Sequence, residues 1–269
     1  MVNNLTHKEI FEVSKRNRIG ETATNKYGTE FKIIDYLSSH QVLIETTDSH
    51  KYQKWVYYRD FKRGALLSPF DKTVRNVGYL GAGKWNACEN GVKTSSYIAW
   101  QGMINRCYDY KFQEKRPKYK ECEVVEEWHN YQNFAQWWDN NYYNCGYERM
   151  CLDKDILIKN NTIYSENTCL IVPNTINTLI ENCTSSRGNL PLGVSFDKAT
   201  NLYRSTSREI INGKSQKIVI GFYNSPYEAF MAYKNWKEKY IKKIADQYKM
   251  LIPDKVYNAL CEYKIEITD

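Results

Sequence analysis

Tyr203, Arg204, Arg208, Lys214 and Lys217 are the residues whose types and spacing speak most directly of chemistry. Arginine and lysine on short strands suit phosphate oxygens and base edges, and a neighbouring tyrosine can stack or pack against sugar. A second cationic group, Lys54, Arg59, Lys62 and Arg63, lies near the amino end and suits either nucleic acid or a docked protein. A third group has mixed sign. Asp153-Lys154-Asp155 sets an ammonium between two carboxylates, and opposite charge favours the charged form of a lysine. The four histidines, at 7, 40, 50 and 129, all lie outside this group.

The C-terminal cations need a sheet to hold them, and the sequence predicts one. Leu192–Phe196, Tyr203–Arg208 and Ile218–Tyr223 read as three short strands. Ser225-Pro226-Tyr227-Glu228 is a helix start. Serine can accept from the third helical amide, proline fits the first helical position, and glutamate can reach back to the cap. Phe230, Tyr233, Trp236, Tyr240, Ile241, Ile244 and Tyr248 then give that helix one apolar face. A three-stranded sheet backed by one helix keeps its other face free, and here that face carries Lys and Arg. Ile252–Asp269 reads as a proline-started short helix and a strand-like Tyr263–Ile267, packed back on this region.

Upstream, residues 1–18 read as a basic arm or polar helix. Residues 19–75 read as a small β domain of barrel type, with strand-like runs at Phe31–Tyr36, Gln41–Glu45 and Trp55–Tyr58. Residues 71–93, with Gly78, Gly81, Gly83 and Gly91, read as a linker. No strand–turn–helix context or Gly-Lys-Ser/Thr follows that would make them a nucleotide loop. The 94–186 region has helices expected at Ser95–Tyr108 and Glu126–Tyr142, each with an aromatic stripe suited to a core.

A hydrophobic fraction of 42% excludes a disordered chain. The net charge of +7 is unevenly spread: residues 1–75 carry 13 Lys and Arg against 9 Asp and Glu, residues 76–186 carry 11 against 13, and residues 187–269 carry 14 against 9. Basic flanks suit a polyanion, and an acidic middle suits a metal or a catalytic role. No apolar run approaches a membrane span and no signal peptide is evident, so no membrane partner is expected and the expected compartment is the cytoplasm. The eight cysteines then read as reduced, buried thiols; a scattered set such as Cys107, Cys122 and Cys169 with His129 lacks zinc-site spacing.

Two resemblances sharpen these expectations. Gly193-Val194, Tyr203-Arg204, Gly221-Phe222 and Glu228-Ala229 resemble, in order and spacing, the plant ethylene-response-factor type of DNA-binding domain. The resemblance implies a sheet lying in the major groove with Tyr203 and Arg208 at DNA-contacting positions. Ser195 and Asp197 replace arginines of the plant domains, and Val219 replaces a tryptophan. The second series is Asp153-Lys154, Asn160-Asn161, Glu166-Asn167, Asn174 and Asn177, which resembles the HNH nuclease family. It implies a strand–turn–strand–helix unit around one divalent metal. Asp153 and Lys154 would stand for the family's Asp-His pair, Asn160 or Asn161 for the residue orienting the base, and Asn174 and Asn177 for the helix positions. Phage proteins of this family often carry the plant-type domain directly after the nuclease unit.

Lysine in place of histidine matters chemically. Histidine activates water because its ordinary pKa is about 6.5, whereas lysine's is about 10.4. Three roles stay open: Asp153 and Asp155 holding Mg2+ or another divalent cation whose bound water attacks, Lys154 pairing a phosphate, or a structural ion-pair cluster with no ligand. The expected architecture is α+β: a small N-terminal β domain, a degenerate HNH-like ββα-type middle domain over 94–186, and a three-stranded sheet plus helix over 187–269. The expected function is DNA binding in a bacterial host cytoplasm by a phage or mobile-element protein. The alternatives are an anti-defence inhibitor of a host protein or nucleoprotein complex, and an active metal-dependent nicking endonuclease.

Overall fold

The computed structural model describes residues 6–180, 190–211 and 214–269. The chain is α+β, with helices and several small antiparallel sheets. It divides into two compact units, Met1–Lys120 with Val124–Gln136, and Glu121–Glu123 with Trp137–Asp269. The division cuts through the 94–186 region expected as one domain. Its first helix belongs to one unit and its later strands to the other.

The first unit opens with α1 (His7–Arg18), capped by Thr6, whose hydroxyl accepts from the Glu9 amide while the Glu9 carboxylate accepts from the Thr6 amide. Four strands follow as an antiparallel meander: β1 (Thr22–Thr24), β2 (Glu30–Ser38), β3 (Gln41–Thr46) and β4 (Gln53–Val56). Phe31, Ile33, Val42, Ile44 and Val56 face inward, where they meet Leu66 and Phe61 of α2 (Tyr58–Lys62). The sheet is open, not the expected barrel. β1 bonds to β2 and β4 to β3, and three-residue β1 is too short to close the circle. The strand expected at Trp55–Tyr58 stops at Val56, because Tyr57 caps α2.

The 71–93 stretch is not a linker but part of this unit. The Tyr79 amide donates to the His129 carbonyl and the Tyr79 carbonyl accepts from the Tyr131 amide, both at 2.9 Å. Gly81 makes that approach feasible: its φ is +69°, and a Cβ there would lie 2.1 Å from Asn130 Oδ1. A hairpin of β5 (Cys88–Glu89) and β6 (Val92–Lys93) leads to α3 (Ser95–Tyr108), where Thr94 accepts from the Tyr97 amide. Then come α4 (Tyr110–Lys115) and the short β7 (Glu123–Val124). The helix expected over 126–142 is broken into a single 3-10 turn, Glu126–His129, and α5 (Tyr131–Asn141). Asn130 between them is extended and pairs beside Tyr79. Trp100 is fully buried, and its indole N–H donates to the Trp128 carbonyl at 2.7 Å.

In the second unit, β8 (Met150–Asp153) leads through a loop carrying β9 (Ile163–Tyr164) to β10 (Leu170–Pro173). β8 and β10 pair antiparallel with Leu170 opposite Asp153, and α6 (Asn174–Ile180) follows at once. β11 (Val194–Asp197), β12 (Leu202–Ile211) and β13 (Lys214–Tyr223) form an antiparallel sheet in that order. α7 (Pro226–Tyr248) packs on it, and α8 (Asp254–Glu262) packs on α7. The strand-like run at 263–267 is irregular instead. The Ile265 backbone bonds side chains of α7, with Lys234 donating to its carbonyl and its amide donating to Glu238, while the Lys264 carbonyl accepts from Lys159 and the Glu266 amide donates to Asp269. Ile265 is buried there. Among the described residues no helix is long and apolar enough to cross a membrane.

The α7 start carries the full capping box that the sequence predicts, with Ser225 Oγ accepting from the Glu228 amide at 3.1 Å. Ser225→Ala should therefore lower stability by about 1 kcal/mol, read as a shift in urea midpoint of the far-UV helical signal. An unshifted midpoint would mean that packing alone sets this helix end.

Candidate nucleic-acid interface

The C-terminal sheet has two unlike faces. Val194, Ser205 and Ser207 are buried on the side of α7, and Glu209 of the same parity bonds Lys243 on that helix at 3.1 Å. Gly193, with φ +79°, lets the Tyr233 ring of α7 come close; a Cβ there would lie 2.2 Å from it. Strand alternation puts Arg204, Thr206 and Arg208 on the opposite face. Their cross-strand neighbours continue it: Ser195 and Phe222 beside Arg204, Val219 beside Thr206, and Lys217 beside Arg208. The register shifts between Ser205 and Thr206, which leaves Ile220 of β13 without an opposite residue.

The cations on this face differ in availability. Arg204 lies 3.4 Å from Asp197, its side chain one-third exposed, and its Nε is buried with no hydrogen-bond partner. Arg208 and Lys217 are exposed and have no ion-pair partner among the described residues. They stand directly opposite each other across the β12–β13 ladder. Like charges so placed oppose each other, and a bound anion relieves that repulsion. Phe222 at 44% and Val219 at 54% exposure give the face an apolar component. Val219 and Phe222 are three residues apart, which a plain two-residue period would set on opposite faces; the bulge at Ile220 brings them to the same one.

Tyr203 is not on the cationic face. It shares parity with Ser205, and its ring meets Phe196 edge-on at 5.2 Å. The physical reason is strand geometry: adjacent residues point to opposite faces, so Tyr203 cannot accompany Arg204. The Lys214 side chain lies outside the described residues. In the first unit, Arg59 bonds Asp60 at 2.9 Å and Lys62 lies 3.6 Å from Glu21, while Arg63 is exposed just past α2.

The Asp153 group folds as a braced turn at the end of β8. Asp153 Oδ1 accepts from the amides of Asp155 and Ile156, both at 2.8 Å. Lys154 is buried, and its Nζ donates to Asp155 Oδ1 at 2.7 Å and to the Asn161 carbonyl. The Asn161 side chain donates to the carbonyls of Lys154 at 3.0 Å and Ile163 at 2.6 Å, and accepts from the Ile163 amide at 3.1 Å. The structure thus brings Asp153, Lys154, Asp155 and Asn161 together. Asn177 is half-buried on α6, with no hydrogen bond to this group among the described residues.

What this group can do follows from its bonds. A lysine donating to a carboxylate and a carbonyl is held as a donor, and a general base needs a free lone pair. Burial pushes the Asp153 carboxyl above the usual carboxylate range, with the two amides opposing it. One oxygen of each aspartate is already engaged, and among the described residues no three His, Cys, Asp or Glu side chains gather as metal ligands. The second oxygen of Asp153 and of Asp155 takes no part in these bonds. No family model, curated protein or solved structure matches this chain.

Proposed function

We propose that this protein binds nucleic acid, duplex DNA first, through the face of the C-terminal sheet that carries Arg204, Arg208 and Lys217. The observation that carries this reading is the exposed Arg208–Lys217 pair, two cations opposed across one ladder with no carboxylate between them. A sheet face stiffened from behind by a 23-residue helix suits a groove or a phosphate track. The strand–loop–strand–helix unit of β8, β10 and α6 precedes it, the order of the phage proteins that both sequence runs resemble. In this reading that unit is a degenerate HNH-like platform, and Lys154 and Asn161 brace its loop.

Neutralised phosphates release counterions, so affinity must fall with salt. With three contacts, the slope of log K against log salt for a random duplex should be about −2.7, at roughly 0.9 per phosphate. Fluorescence anisotropy from 0.05 to 0.3 M salt reads this slope, and a flat response removes the electrostatic reading.

A further inference from the structure

The first unit has a cavity of about 330 Å³ at the free edge of β4. Its apolar lining comes from Ile44, Val56 and Leu66, which belong to the core of this unit. Trp55 and Tyr57 also line it and keep 46% and 51% of their surface exposed. The Tyr57 ring is held edge-on to His40 at 5.5 Å. Lys54, Asp60, Ala65 and Leu67 complete the lining, and Arg59 bonds Asp60 Oδ1 at 2.9 Å. Arg63 is exposed one residue past the same short helix.

We propose that this cavity takes an unstacked nucleobase, so that the first unit binds single-stranded DNA. Two exposed aromatic rings at one cavity offer stacking surfaces, and every base has a face to stack. The cations identify the cover. Lys54 lines the cavity, Arg59 is bonded to the lining residue Asp60 and Arg63 is exposed one residue past the same helix, a cation set that suits a chain of phosphates. Asp60 then has a defined task. Arg59 occupies one of its oxygens, and a carboxylate has further acceptor capacity, which fits an exocyclic base amine such as cytosine N4. Thymine lacks that amine. The cavity is therefore expected to prefer oligo(dC) over oligo(dT).

The test uses the full chain and fluorescein-labelled 12-mers of dC and dT, with a random duplex as control. Trp55→Ala and Tyr57→Ala should each weaken oligo(dC) binding about tenfold while duplex affinity holds. Trp55→Phe should lose the quenching of tryptophan emission that oligo(dC) causes in the unmodified protein. Asp60→Ala should remove the preference for dC over dT. Both aromatics are half-exposed, so their truncation leaves the core closed, and circular dichroism confirms the fold. The proposal falls if Trp55→Ala and Tyr57→Ala bind oligo(dC) as well as the unmodified protein does. It also falls if the unmodified protein has no oligonucleotide affinity, which leaves this edge to an added protein strand. Arg208→Ala with Lys217→Ala separates the two sites: it should spare oligo(dC) binding and lose the duplex, whereas loss of oligo(dC) binding would place that binding on the sheet and overturn the proposal.

Discussion

Arg208→Ala combined with Lys217→Ala should weaken duplex binding about 200-fold at 0.05 M salt and about 30-fold at 0.15 M. Each phosphate contact contributes a factor of roughly salt concentration to the power −0.9, about 15 at the lower salt and about 5.5 at the higher. Two contacts multiply. The slope of log K against log salt should fall by about 1.8, because two of the three released counterions are gone. Folding should survive, since both side chains are exposed and removing them relieves a like-charge pair. Arg204→Ala should have a smaller electrostatic effect, because Asp197 already sits beside that guanidinium. Sequence preference gives a second test. Loss spread evenly over all duplexes marks phosphate contacts, and loss confined to some sequences marks base-edge readout. A double variant that keeps both affinity and slope would move the interface off this sheet.

The elements that position these cations were legible because their signals are local. Ser225, Pro226 and Glu228 lie within one turn, and α7 starts at Pro226. The apolar spacing through Trp100, Met103, Ile104 and Cys107 marks α3 in the same way. The strands around Tyr203 and Ile218 were legible from β-branched and aromatic runs, although each extends further than those runs. The misses came from bonds between residues far apart in sequence. Nothing near Glu126 says that the helix must wait for Tyr131; Tyr79, about fifty residues earlier, imposes the break by pairing beside Asn130. The same pairing turns the apparent glycine linker into packed structure. Tail residues 263–267 alternate like a strand, but their backbone bonds go to side chains such as Lys234, Glu238, Lys159 and Asp269 and not to a neighbouring strand.

The candidate site divides along the same line. That Arg204 and Arg208 share a face follows from an even separation in one strand, so it was readable. Tyr203 suits nucleic acid by residue type, but the same period of two sets it on the other face. The Asp153 turn is the subtler case. An aspartate accepting amides two and three residues on is a local motif, so its structural role was open to a sequence reading. What the sequence could not show is that Asn161 closes the loop from the other side, with its side chain bonded to Lys154 and Ile163 and its carbonyl to Lys154 Nζ. Residue types suited to metal chemistry are here used as hydrogen-bond partners of their own backbone.

That assignment makes Asp153 the position at which structure and catalysis predict opposite results. Asp153→Ala removes the acceptor of two amides and should destabilise the second unit by about 3 kcal/mol. Asp153→Asn keeps an oxygen for both amides and should retain the stability of the unmodified protein below about pH 4. Above that the two should diverge. The folded-state carboxyl titrates above its ordinary value because burial opposes its charge. The folded state therefore holds its proton after the unfolded chain has released it, at about pH 3.9. The associated stability is full below that pH and is lost as pH rises through the folded-state value. Asparagine has no proton to lose, so Asp153→Asn should show a flatter stability profile from pH 4 to 8 and exceed the unmodified protein at the upper end. Urea midpoints across that range measure it. If Asp153→Asn is as unstable as Asp153→Ala, the amides are not what Asp153 serves. Plasmid nicking with magnesium that disappears in a stable, DNA-binding Asp153→Asn would return the carboxyl to chemistry, because that variant changes the charge while leaving the turn in place.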